Sequence, residues 1–101
     1  MNAEVPERLT PSVETAAYFV VAEALTNATK HARAKSVRIT IWAEHAELGI
    51  VVADDGVGGA DPLGNGLTGL GQRVEALDGW LRVQSPVGEG TTVRAGLPCG
   101  S

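Results

Sequence analysis

The sequence predicts an α+β fold, with helices covering one face of a mixed, mostly antiparallel sheet. Two helical segments each precede a pair of strand-like runs, in the order helix, hairpin, loop, helix, hairpin. No strand-helix-strand rhythm repeats, which argues against a parallel sheet. A chain of 101 residues, 44% of them apolar, suits one domain around one core.

Residues 1–8 are polar and read as a lead-in, with 99–101 as a tail and 9–98 as the domain. Thr10-Pro11 supplies an N-cap and a proline at the first helical position, and Glu14 suits the helix dipole. No glycine or proline interrupts Ser12 to about Ala32, which reads as one helix. Val13, Ala17, Val20, Ala24 and Ala28 recur at spacings of three and four and mark its packing face.

Val37 to Trp42 alternates, with Val37, Ile39 and Ile41 on the buried side, and is followed by a short turn, Glu44 to Glu47. Leu48 to Ala53 is the second strand. Leu48, Ile50, Val52 and Asp54 share a parity, so Asp54 is expected to face inward, where a carboxylate needs a donor. Residues 55–67 form a glycine-rich loop; seven of the 13 glycines fall between Gly56 and Gly71. Thr68 to Asp78 reads as a helix packing Leu70, Val74 and Leu77, with Gly79 as its C-terminal cap. Trp80 to Ser85 and Thr91 to Leu97 are strands joined by Pro86-Val87-Gly88-Glu89-Gly90, and Pro98 ends the last.

Composition excludes several functions. A net charge of -4 disfavours nucleic-acid or membrane-surface binding through bulk positive charge. No apolar run approaches the roughly 20 residues that cross a bilayer, and no signal peptide is evident. One cysteine, Cys99, forms no internal disulfide, which fits a cytoplasmic setting. Two histidines, His31 and His45, do not make a zinc site, and no G-x-S-x-G elbow is present.

Three stretches carry chemistry. Glu23, Asn27, Lys30 and His31 lie on one helical stripe, which suits either a solvated edge or a site with an amide for a hard cation and cations for phosphate. Asparagine is a poor interior helix residue, which favours the second. Asp54-Asp55-Gly56-Val57-Gly58-Gly59 follows a strand; such a pair suits a plain turn or one wall of a pocket. Gly64 to Gly69 matches G-x-G-x-x-G, but follows a loop holding Asp61 and Pro62 rather than a strand, so a dinucleotide fingerprint is rejected. No lysine follows in P-loop form. What remains is either a mobile surface loop or an anion site of backbone N–H groups at a helix N-terminus near Thr68, and the second is the better fit. Gly88-Glu89-Gly90-Thr91 is a hairpin turn that would set Thr91 beside Asp54 if the two strands are neighbours. Asp55, of opposite parity, reads as a loop residue of minor consequence.

Together and in this order, these stretches resemble the GHKL ATP-binding superfamily. Glu23-Ala-Leu-Thr-Asn27-Ala-Thr-Lys30-His31-Ala32 resembles its N box, Asp54-Asp55-Gly56-Val57-Gly58 its first glycine box and Gly66-Leu67-Thr68-Gly69-Leu70 its second. Gly90-Thr91-Thr92-Val93 is similar to its closing strand. Arg73-Val74-Glu75-Ala76-Leu77 and Gly79 resemble sensor histidine kinases coupled to LuxR-type response regulators. The likeness covers residues 9–98.

The resemblance implies the two-layer α/β sandwich called the Bergerat fold, with ATP and magnesium as ligands. It implies that Asp54 accepts from the adenine amino group, partly through water shared with Thr91, and that Asn27 ligates magnesium. Glu23 would be the catalytic residue, orienting water or assisting proton handling, while Lys30 and His31 face phosphate. Gly56 and Gly58 would line the nucleotide, and Gly66, Leu67, Thr68, Gly69 and Leu70 would begin the lid that closes over it. The implied partners are a dimerisation domain carrying the phosphoacceptor histidine, and a response regulator; no nucleic acid or membrane contact is expected. This chain lacks the dimerisation helix, its lid of about Gly58 to Thr68 is short, and Gly71 stands where a larger polar residue is usual. It is therefore expected to bind ATP without phosphorylating itself. The weighed alternatives are an anti-sigma-factor serine kinase of the same superfamily, which Arg73 to Gly79 disfavours, and a degenerate non-catalytic interaction module.

Overall fold

The computed structural model describes residues 2–4, 10–31, 33–44, 46–58 and 67–98. Its elements are β1 (Asn2–Glu4), α1 (Pro11–Thr26), a π-helical turn (Asn27–His31), β2 (Val37–Glu44), β3 (Glu47–Asp54), α2 (Leu67–Glu75), β4 (Trp80–Gln84) and β5 (Thr91–Pro98). The sheet order is β1-β2-β3-β5-β4. β1 is parallel to β2 and the other pairs are antiparallel, which makes the sheet mixed. The expected hairpins are present, and the segment read as a lead-in adds a strand. Three residues are too few to show a period in sequence; β1 is recognisable only by its pairing with Thr40, Ile41 and Trp42.

α1 starts as its sequence dictates. Thr10 has extended backbone, and its Oγ1 accepts from Val13 N–H at 3.3 Å, a cap worth about 1 kcal/mol. Val13, Ala16, Val20 and Ala24 are buried, while Ala17 is only partly so. The small alanines let α1 lie close over the central strands β3 and β5. Leu48, Ile50 and Val52 from β3, Val93, Ala95 and Leu97 from β5, and Leu67, Leu70 and Val74 from α2 complete the core. Both helices thus cover the sheet face predicted by parity. The architecture is the expected two-layer α+β sandwich.

The helix expected to run to about Ala32 leaves α-geometry at Thr26. The widened turn Asn27–His31 follows, and Ala34 N–H reaches back to Ala28 O at 2.9 Å. Thr26 Oγ1 donates to Ala22 O at 3.0 Å and Thr29 Oγ1 to Leu25 O at 2.9 Å, so hydroxyls share carbonyls of the last α-turn. Such back-bonding bends helices, and π-turns tend to mark functional positions.

Two ends of α2 also differ from expectation. It begins at Leu67 rather than Thr68, and the left-handed residue after it is Asp78 (φ 63). Gly79 donates its N–H to Val74 O at 3.0 Å. The bond pattern is that of a Schellman closure, with an acid instead of glycine in the left-handed place.

On the open face of the sheet, Trp42, Gly49, Gly96 and Trp80 form one register line across β2, β3, β5 and β4. Each indole occupies the space a Cβ on the neighbouring glycine would need. Trp80 Nε1 donates to Glu47 Oε2 at 3.3 Å, and Arg82 lies over the Trp80 ring. The two glycines are therefore covered by side chains from the flanking strands.

Candidate functional site

β3 ends with Asp54 on the helix-covered face, directly opposite Thr91 of β5. Asp54 is half-buried, and its Oδ1 accepts from Gly56 N–H at 2.8 Å and from Thr91 N–H at 3.2 Å. The donors this inward carboxylate requires are thus local backbone groups, which hold it in place. Thr91 is 3% exposed, and its hydroxyl lies 2.6 Å from that of Ser85, not against Asp54. Asp54 also borders a groove of about 520 Å³ at the end of the β2–β3 hairpin, lined by residues of both parities, Val37 and Ile39 as well as Arg38, Ala53 and Asp55.

The first glycine box is clamped to the β4–β5 turn. Gly88 N–H donates to Val57 O at 2.6 Å. Gly58 (φ 69) and Gly90 (φ 78) both take left-handed backbone that side chains disfavour. A Cβ on Gly58 would run into Pro86 O, and one on Gly90 into Asp54 O. These glycines are required by close approach as well as by φ. Gly56 is half-buried between them and Asp54.

Asp55 corrects its reading as a minor loop residue. Its Oδ1 accepts from Lys35 N–H at 2.8 Å and Ser36 N–H at 3.0 Å, and its Oδ2 from the Ser36 hydroxyl at 3.0 Å. The Ser36 and Lys35 backbone donors, with the Ser36 hydroxyl, hold its carboxyl below the usual range. Asp55 therefore ties the segment that leaves the π-turn to the end of β3. Sequence reasoning discounted it because parity points it away from the core, yet the partner segment lies on that side.

On the helix side, Glu23 is half-buried and lines a cavity of about 220 Å³ with Phe19, Gly69, Leu70 and Arg73. The Arg73 guanidinium sits 4.3 Å from the Phe19 ring centre. Asn27, four residues beyond Glu23, is 3% exposed, and its Nδ2 has no partner among the described residues. An orphaned buried amide is costly and calls for a ligand. Lys30 is exposed. The π-turn rotates it relative to Glu23, so the regular α-helical stripe expected from sequence is broken at Asn27.

Leu67 and Leu70 are buried in the core, so what they can offer a ligand is backbone. Thr68 and Gly69 are exposed in the same first turn. The His31 side chain, Gly66 and most of the expected lid lie outside the described residues. The site thus brings Asp54, Gly56, Gly58 and Thr91 together at one end of the sheet, and Glu23 together with Gly69 and Leu70 between the helices. Ser85 and Asp55 were missed. Ser85 was accessible to reasoning, because a five-residue turn sets it opposite Thr91 with the parity of Leu81 and Val83.

The family described as Histidine kinase-, DNA gyrase B-, and HSP90-like ATPase matches residues 12–101. The chain belongs to that ATPase family. It is 36% identical over 88 residues to sensor histidine kinase YdfH of Bacillus subtilis, covering 80% of this chain and 22% of that protein. It is 35% identical over 97 residues to the oxygen sensor histidine kinase NreB of Staphylococcus carnosus, covering 91% of this chain and 28% of that one. The chain thus spans about a quarter of the length of these curated relatives. Among solved structures, the blue-light activated histidine kinase of Erythrobacter litoralis superposes with a TM-score of 0.77 at 26% identity, over 96% of this chain and 34% of that one. The ATP binding domain of PrrB from Mycobacterium tuberculosis shares the fold, with a TM-score of 0.70 at 21% identity, over 100% of this chain and 82% of that chain. No described helix is long and apolar enough to cross a membrane.

Proposed function

We propose that this chain is the ATP-binding catalytic domain of a two-component sensor histidine kinase. It holds Mg-ATP for phosphoryl transfer to a histidine on a dimerisation domain of the same kinase, from which a LuxR-type response regulator takes the phosphoryl group. The supporting observation is the buried Asn27 amide, orphaned at Nδ2 among the described residues, in the π-turn that follows the helix covering the Asp54-bearing sheet. An amide rotated by 180° exchanges its nitrogen and oxygen, so the same position can present an oxygen to a hard cation. Magnesium takes few protein ligands and completes its shell with water and phosphate oxygens, which one asparagine fits.

In this reading the Asp54 carboxylate accepts from the adenine amino group. The Gly56 and Thr91 backbone donors hold it there before the ligand arrives. Asn27 holds magnesium, and Glu23 orients a water beside it or handles a proton. Lys30 and His31 face the phosphates, and the backbone of Leu67 to Leu70 meets them at a helix N-terminus. Magnesium, when bound, neutralises charge on the phosphates. Phosphoryl transfer asks mainly for such positioning and charge neutralisation, so a site without a nucleophile suffices.

The test joins the chain to a dimerisation helix bearing a phosphoacceptor histidine and supplies labelled Mg-ATP. Acid-labile label on that histidine is expected, and none with Asn27→Ala. ATP binding without transfer, or label on serine of an antagonist protein instead, would contradict the histidine-kinase reading.

A further inference from the structure

The floor of the site holds a third polar residue that the assigned roles leave unused. Ser85 follows β4 on the side of Leu81 and Val83, and the turn Pro86 to Gly90 sets it opposite Thr91. The two hydroxyl oxygens are 2.6 Å apart, short enough that one donates to the other. Thr91 N–H in turn donates to Asp54 Oδ1. Asp54, Thr91 and Ser85 therefore form one polar line across three strands, with Thr91 buried in its middle.

We propose that Ser85 is a specificity-determining residue of the nucleotide site, fixing whether the Thr91 hydroxyl shows its hydrogen or a lone pair to the base. The proposal rests on Asp54 and Thr91 being the adenine pocket. A free hydroxyl carries one hydrogen and two lone pairs, and rotates to suit either kind of partner. Either hydroxyl can be the donor in this pair; the proposal assigns that role to Ser85, which leaves the Thr91 hydrogen to point at the ligand. Adenine offers an amino donor and a ring-nitrogen acceptor on adjacent positions; hypoxanthine offers a carbonyl acceptor and a ring N–H donor there. An ionised Asp54, which only accepts, matches the first member of the adenine pair. A Thr91 hydrogen beside it, directly or through one water, matches the second. Against hypoxanthine both polarities are wrong. Without Ser85 the Thr91 hydroxyl is free to donate to adenine or to turn and accept from hypoxanthine, and discrimination falls back on Asp54.

The experiment titrates Mg-ATP and Mg-ITP onto the 101-residue chain, as wild type, Ser85→Ala and Ser85→Cys, with a thermal melt of each. Ser85→Cys is nearly isosteric but only a weak donor, so it carries the test if Ser85→Ala melts early. ATP should bind within about 2-fold of wild type, because the freed Thr91 hydroxyl still donates to adenine, while ITP should bind about 5-fold tighter, narrowing the ATP-to-ITP ratio by a similar factor. An unchanged ratio in the folded variant, whether both nucleotides bind as before or weaken together, would overturn the proposal. A wild-type chain that binds neither nucleotide would overturn the nucleotide reading itself, so the two failures are told apart.

Discussion

Asp54 and Thr91 face each other across the β3–β5 ladder, and the Thr91 N–H donates to the Asp54 carboxylate at 3.2 Å. This bond makes the end of the sheet a prepared surface. With Gly56 N–H on the same oxygen, it fixes the carboxylate without a cation partner among the described residues, and so holds an acceptor in place.

The preparation depends on Gly90. Its left-handed φ and its approach to Asp54 O mean that Gly90→Ala must move either the turn or the end of β3. Such strain costs on the order of 1–3 kcal/mol. Urea unfolding should show a loss of that size, accompanied by weaker ATP binding. Unchanged stability and binding would mean that the clamp has no role.

Asp55 should give the chain an acid-sensitive joint. Its carboxyl is held below the usual value of 3.8, so its bonds to Ser36 and Lys35 stabilise the fold above that value. Their contribution is lost as pH falls below about 4 toward the lowered folded pKa. Melting temperatures from pH 7 down to pH 3 should therefore drop more in wild type than in Asp55→Asn. Parallel curves would mean that the carboxylate does not stabilise this segment.

Much of this was legible in the sequence, and the reasons differ by element. Period two carried Leu48, Ile50, Val52 and Asp54 to the covered face, and Thr10-Pro11 fixed the start of α1. The helix-face reading was off by one position, Ala17 for Ala16, because alanines occupy both. The π-turn was not legible, since it is a change of hydrogen-bond register rather than of composition. Asp55 with Ser36 is a pairing between segments that only the strand register brings together, whereas Thr91 with Ser85 follows from the five-residue turn and the parity of Leu81 and Val83. Site residues already known to share a pattern were easier to find than the polar neighbours that hold them.

The open sheet face offers a stability test independent of nucleotide. Gly49 and Gly96 lie beneath Trp42 and Trp80, and a side chain at Gly96 would displace the Trp80 indole. Gly96→Val should break the Trp80–Glu47 hydrogen bond and lower stability by about 1–3 kcal/mol, the usual range for overpacking. Trp80 fluorescence should shift toward that of a solvated indole. An unchanged melt and spectrum would show that the indole is not seated there.

A substitution at Asn27 tests the proposed metal binding apart from base binding. Replacing it with alanine removes the orphaned amide, so the fold should hold within about 1 kcal/mol or gain slightly. ATP without magnesium should bind as it does to wild type, while the gain in affinity on adding magnesium should disappear. A magnesium effect preserved in Asn27→Ala would remove the amide from the metal site.

The central claim is that Asp54 reads adenine, and calorimetric titration of Mg-ATP and ADP onto wild type and Asp54→Asn tests it most directly. Micromolar-to-millimolar binding is expected for the wild type. In the variant the amide turns a donor toward the base amino group, and binding should be lost or severely weakened with the melt unchanged. Equal binding by the two proteins would contradict the account.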